Sequence, residues 1–320
     1  MGFLSKLKSK VKEHVGSSSS DQGPSGYYDH HNQYGTDSSL PPAWTPAPEV
    51  SHKWGKWNEA PDDEYQAGED FCLEYPPNPP RLLPSAAVDY ISSVGCKAWS
   101  IEQPETARFS GTISNPGDFK GSLGVVKIST NENCKDTTLL STLPIMAGLY
   151  DVQGKSGVYY EVLIKQMDGV VVVGTSCRPY PAWRLPGWNR LSAGLHLDDL
   201  RKFFEDPDGG RDYVTPDLVS QVRPGDTIGC GYEFSTGGLF FTYNGIRLSN
   251  AFTGIYLPRH EHDVFAAVGV EGRAELEVNF GGDMFRWKEG NEWAWRVEGH
   301  VGKIVGSSRE YDAELPAYSL

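Results

Sequence analysis

Alternation of apolar and polar positions dominates the middle of the chain. In GVYYEVLI (157–164), Val158, Tyr160, Val162 and Ile164 fall on one face, and Glu161 falls with Lys165 on the other. A period of two predicts a strand. The run GVVVVG that follows is apolar throughout and strand-sized, and the Asp168-Gly169 pair between the two favours the tight turn of a β-hairpin. GGLFFTYNGIRL repeats the device with Asn244-Gly245. GDTIGCGYEF, VFAAVGV and AELEVNF are further strand-length runs bounded by Gly, Pro or Asp. Short strands at this spacing predict an antiparallel two-sheet β-sandwich over residues 106–290. Helical spacing is confined here to residues 87–93 and Leu197–Phe203.

The flanks follow other patterns. Over residues 1–16, Leu4, Leu7, Val11 and Val15 recur at helical spacing beside Phe3, with Lys6, Lys8, Lys10 and Lys12 between them. Two readings stand: a membrane-surface segment that buries Phe3, Leu4 and Leu7 while its lysines face anionic lipid, or a solvated chain start. Gly2 is a weak myristoylation signal, because position 6 is Lys6 where Ser or Thr is wanted. Residues 17–60 are rich in Ser, Gly, Pro, Asp and Asn with no apolar period, which predicts a disordered linker. The peptide LPPAW (40–44) within it is Pro-aromatic, and His30-His31 reads as compositional. Residues 61–105 regain apolar positions, among them Ala87, Val88, Tyr90, Ile91, Trp99 and Ile101, and so predict an extension packed on the sandwich. Residues 291–320 form a C-terminal tail that carries LPAY.

Composition narrows the function classes. The chain has 320 residues and a formal net charge of −13, which argues against nucleic-acid binding, since phosphate contact needs Lys and Arg surfaces. Cys72, Cys96, Cys134, Cys177 and Cys230 are widely spaced and odd in number. They read as reduced intracellular thiols, neither a disulfide framework nor a zinc site. No apolar run approaches the ~18 residues of a membrane span. RHEHD (259–263) offers His260 and His262, and a solvated loop describes them better than a metal site. No phosphate-binding Gly-x-x-x-x-Gly-Lys loop is present, and no cofactor is implied.

Three ordered motifs carry a family resemblance. GVYYEVLI resembles the early strand of SPRY domains, two-sheet sandwiches related to the concanavalin-like jelly rolls. GDTIGCGYEFSTGGLFFTYNGIRL resembles their central signature, and VFAAVGVEGRAELEVNFG their closing strands. Within RPYPAWRLPGWNR, the string Tyr180-Pro181 to Arg184-Leu185-Pro186-Gly187-Trp188 is similar to fungal SPRY adaptors of a WW-domain HECT-type ubiquitin ligase. That resemblance implies a non-catalytic adaptor at endosomal or vacuolar membranes. Its SPRY domain would hold membrane cargo while a Pro-x-Tyr motif engages the ligase. Those adaptors carry a membrane helix before the domain, which this chain lacks. Leu315 also stands where their motif begins with proline.

Candidate site residues follow. Leu315, Pro316 and Tyr318 form the WW-domain motif: proline presets a polyproline II backbone, and the tyrosine two residues on offers a ring and a hydroxyl to the groove. Tyr180, Trp183, Arg184 and Trp188 are the residue types that dominate interfaces, on a loop stiffened by Pro179, Pro181 and Pro186. The plainer reading makes them packing residues. Packing is favoured for Trp188, and both readings stay open for Trp183 and Arg184. Two rivals remain. One is a lectin or glucanase on the same sandwich, for which Glu275 and Glu277 are the nearest carboxylate pair. The other is a SPRY scaffold with no ligase.

Overall fold

In the computed structural model of the protein, residues 61–116, 124–214 and 219–303 are described. Helix α1 (Asp62–Glu74) begins after Pro61, carries Asp62, Asp63 and Glu64 in its first turn, and stops before Pro76. Acidic side chains at a helix start complement its unpaired N–H groups, and the residue ahead of a proline is barred from helical geometry. Helix α2 (Ser85–Val94) buries Ile91 and ends at Gly95.

The strands are β1 (Gly111–Ser114), β2 (Val126–Thr130), β3 (Thr137–Leu140), β4 (Gly157–Met167), β5 (Val170–Ser176), β6 (Ser192–His196), β7 (Arg201–Phe204), β8 (Arg211–Asp212), β9 (Thr227–Glu233), β10 (Gly238–Tyr243), β11 (Ile246–Phe252), β12 (Phe265–Glu271) and β13 (Ala274–Asn279). They form two sheets among the described residues, in the orders β1-β2-β13-β4-β9-β10-β11 and β3-β12-β5-β6-β7-β8. Every pairing is antiparallel. The expected sandwich is the observed fold.

The core lies between the sheets. Val158, Tyr160, Val162 and Ile164 of β4, with the apolar positions of neighbouring β13, face Val171 and Val173 of β5 and the apolar positions of β12 in one buried cluster. The Tyr160 hydroxyl crosses that layer, donating to Gly174 O (2.5 Å) and accepting from Gly174 N (3.1 Å). Asn244-Gly245 closes the β10–β11 hairpin with both residues at positive φ, as a two-residue turn of this type requires.

Four sequence expectations change. Asp168-Gly169 does not close a hairpin, because β4 belongs to one sheet and β5 to the other. The physical reason is the valine run: β5 is buried along its whole length, and only a central strand covered on both faces accommodates that. Leu197–Phe203 is not a helix. Leu200 takes φ +61°, which no right-handed helix continues through, and the chain enters β7. Glu161 is buried, although alternation placed it on the solvent side. The outer face of β4 is roofed instead by a second aromatic cluster of Tyr159, Phe240, Phe285, Trp287 and Trp295.

That roof also moves the end of the packed chain past residue 290. Trp295, Val297 and His300 are buried. Lys155 Nζ donates to the carbonyls of Trp293 and Arg296, and Arg296 reaches Gly281 O (2.8 Å). Trp295 fits because Gly157 has no side chain: a Cβ there would stand 2.4 Å from the indole.

Candidate protein-interaction surface

The loop from Cys177 to Leu191 joins β5 to β6 and folds inward on itself. Tyr180 is buried, its hydroxyl donating to Leu185 O (2.7 Å) and accepting from Asn189 N (3.3 Å). Burial pushes the phenol up to about 12. Trp188 packs with Val170, Val172, Leu185 and Phe203 against the outer face of the second sheet. His196 Nε2 donates to Pro186 O (3.0 Å), and its ring lies 4.0 Å from that of Phe203. Full burial pushes this imidazole down to about 3, so it is neutral.

Arg184 is the pivot. It is 2% exposed, and its guanidinium sits 4.5 Å over Trp188 and 5.9 Å from the Tyr65 ring of α1. Its Nε donates to Asn189 Oδ1 (2.9 Å), while Thr138 Oγ1 donates to its carbonyl (2.5 Å). Desolvation lowers its pKa, with Tyr180, Asp136, Glu64 and Glu69 opposing that.

Helix α1 lies across this loop as a lid. Glu69 accepts from Asn189 Nδ2 (2.6 Å). Arg190 donates to the carbonyls of Cys72 and Tyr75, where a helix end leaves carbonyls unpaired and a cation is favoured. Glu64 takes Arg108 in a two-pronged ion pair of 3.0 and 3.2 Å. Phe71 meets Trp183 edge-on at 5.6 Å and Tyr75 at 4.8 Å.

The candidate site residues therefore separate. Tyr180, Arg184 and Trp188 are interior, and their interface-type side chains hold the loop's shape. Trp183 alone of the four is half-exposed. It joins Phe71 and Tyr75 in an aromatic patch in which Tyr75 is 46% exposed. Beside it opens a cleft of about 240 Å³ lined by Glu102, Glu105, Thr138, Leu140, Tyr180 and Ala182. The α1 contribution was missed from sequence because the helix is held mainly by polar contacts and single rings, with no apolar stripe. Leu315, Pro316 and Tyr318 lie outside the described residues, as do Phe3, Leu4, Leu7, Lys6, Lys8, Lys10 and Lys12.

The carboxylate pair of the enzyme reading is differently employed. Glu275 is exposed, and Glu277 faces Lys165 at 3.7 Å. The third carboxylate on that face, Glu161, accepts from Tyr159 Oη (2.7 Å), Trp287 N (3.0 Å) and Arg286 N (3.0 Å). It is a latch for the roof. Among the described residues no three His, Cys, Asp or Glu side chains converge to hold a metal, and no helix is long and apolar enough to cross a membrane.

Two sheets, an Asn-Gly hairpin at the edge of the first and an elaborated β5–β6 loop define the class. The SPRY domain family model matches residues 157–283, and the chain carries a SPRY domain, a protein-interaction module. The strands extend beyond the matched stretch on the N-terminal side, from Gly111. Among curated relatives, protein ssh4 of Sclerotinia sclerotiorum is 30% identical over 238 residues, covering 71% of this chain and 39% of that protein. Protein ssh4 of Botryotinia fuckeliana is likewise 30% identical, covering 71% and 38%. A SPRY domain-containing protein of Schizosaccharomyces pombe is 33% identical over 149 residues, 46% of this chain and 36% of that one. The chain thus matches well under half the length of these relatives. A crystal structure of a human SPRY domain aligns with a TM-score of 0.38 at 23% identity, over 54% of this chain and 97% of that one.

Proposed function

We propose that this protein is a non-catalytic adaptor in endosomal or vacuolar sorting. In this reading the SPRY sandwich holds a protein partner or membrane cargo, and Leu315-Pro316-Ala317-Tyr318 recruits a WW-domain HECT-type ubiquitin ligase. The observation that carries it is the patch of Trp183, Phe71 and Tyr75 beside the cleft lined by Glu102 and Glu105. Exposed aromatic and apolar groups on a rigid base, next to acidic polar groups, are the make-up of a protein-binding hot spot. Rigidity comes from the buried layer of Arg184, Trp188 and Tyr180 beneath it. Glu102 of that cleft is already paired with Arg178, so Glu105 is the carboxylate that suits a Lys or Arg of the partner segment.

The tail motif lacks the first proline of the usual ligand, so its own affinity is on the order of micromolar at best. Attachment of residues 1–16 to an anionic membrane would raise the local concentration that such a motif needs. Two substitutions test the two halves separately. Trp183→Ala is expected to lose the SPRY partner while keeping the WW-domain ligase in a pull-down, and Tyr318→Ala the reverse. Retention of the ligase by Tyr318→Ala removes the adaptor reading and leaves a SPRY scaffold. Flotation with anionic liposomes, wild type against a chain with Lys6, Lys8, Lys10 and Lys12 changed to Glu, tests the membrane contact.

A further inference from the structure

The connection between α1 and α2, residues 75–84, reads YPPNPPRLLP. Proline occupies positions 76, 77, 79, 80 and 84. Each fixes its own φ near that of polyproline II and holds the residue before it extended, so this stretch is biased to a three-residue repeat. Its exposure follows that repeat. Pro77, Pro80 and Leu83 are half-buried, whereas Tyr75, Pro76, Asn78, Pro79, Arg81 and Leu82 are exposed.

The buried ridge is tied down. Leu83 packs against the core and its N–H donates to Tyr150 Oη (2.9 Å). Pro80 lies against Gly148, where an added Cβ would be 3.2 Å from its own. Asn78 N donates to Arg178 O (2.7 Å), and Arg81 N to Asp263 Oδ2 (3.3 Å). One edge of a triangular rod is seated on the sandwich, and its other two edges face outward.

Those outward edges carry Tyr75-Pro76, Asn78-Pro79 and then Arg81. We propose that residues 75–81 are a preformed docking peptide for an SH3-type domain that reads Pro-x-x-Pro-x-Arg. Such a domain takes two residue-proline pairs from adjacent ridges of a polyproline II rod into aromatic-lined slots, and a basic residue at one end into an acidic pocket. Pro76, Pro79 and Arg81 have that spacing, and the two positions that the reader ignores, Pro77 and Pro80, are the ones turned to the body. The Asn78–Arg81 edge borders a cleft of about 140 Å³ lined also by Arg178, Asp263 and Phe265. Binding needs no unseating, so the ordering cost that weakens free peptides is already met by the fold. Asn78 fills a slot that prefers an apolar residue, which sets the Kd on the order of 10–100 μM.

The test titrates the full-length chain into an isotope-labelled SH3 domain selective for Pro-x-x-Pro-x-Arg, following its amide shifts. Saturable shifts at the aromatic groove are expected with wild type. Arg81→Glu and Pro79→Ala each weaken binding about tenfold or more, while Pro80→Ala and Tyr318→Ala stay within about twofold. Circular dichroism checks that each variant is folded. Absence of saturable binding by wild type overturns the proposal. So does wild-type-like binding by Arg81→Glu, or a loss with Pro80→Ala as large as with Pro79→Ala. The tail motif plays no part in this contact, so its failure and this one are separately visible.

Discussion

Glu161 shows how much one side chain controls. Its two oxygens take a tyrosine hydroxyl and two backbone N–H groups, all on the outer face of β4. Removing the carboxylate strands those donors under the aromatic roof. Glu161→Ala is therefore expected to destabilise the fold by about 3–5 kcal/mol, read from urea midpoints, with Glu161→Gln costing less because one acceptor oxygen survives. Trp287 and Trp295 fluorescence should report the loosened roof first. The loop makes a second contrast. Trp188→Ala opens a cavity under the second sheet and is expected to cost about 3–5 kcal/mol, whereas Trp183→Ala stays within about 1.5 kcal/mol, by the same measurement. That difference lets Trp183 serve as a binding probe in a folded protein.

At the scale of elements, the strands were legible because period-two alternation is written by burial itself. Val158, Tyr160, Val162 and Ile164 needed no tertiary knowledge. The sheet assignment of β5 was not legible, since a run buried on both faces has no phase to read, and Asp168-Gly169 is compatible with either a hairpin or a crossover. The lid was least legible. Helix α1 depends on Asn189, Arg190 and Arg108, which lie 44 or more residues away in sequence, and charge pairs leave no periodic trace. The same pairs kept the site half hidden: Arg184 and Trp188 have interface chemistry, yet Arg184 lies beneath the helix and Trp188 packs on the second sheet. Arg190→Ala frees the last carbonyls of α1. Faster hydrogen exchange over residues 65–75 is expected, with global stability changed by about 1–2 kcal/mol.

For the whole molecule, buried titratable groups set an opposed pH response. His196 and His300 are pushed down to about 3 by burial, and His300 Nε2 accepts from Ala147 N (3.1 Å), which also requires the neutral ring. Their contribution is present above about pH 6.5 and is lost as pH falls toward 3, because the unfolded chain takes up protons that the fold refuses. Asp136 is raised to about 7, by desolvation and then by Glu271, against Arg108. Its contribution is present below about pH 4 and is lost as pH rises to about 7. Between these limits two protons oppose one, leaving stability from these three groups rising by about 1.4 kcal/mol per pH unit. Asp136→Asn is expected to double that slope, in urea titrations from about pH 4.5 to 6.5, and to raise stability at pH 7 and above.

Two anchors sit on consecutive residues. The polyproline rod ends with Leu83 N on the Tyr150 hydroxyl, and the carbonyl of Lys303, the last described residue, accepts from Asp151 N. Eleven residues, or twelve Cα steps, lie between Lys303 and Leu315, so covalent geometry alone keeps Leu315 within about 40 Å of that point. A domain gripping the rod and another gripping the tail would then share one small volume. Their effective concentration for each other would be on the order of millimolar, fixed by the length of a tether rather than by any contact between them.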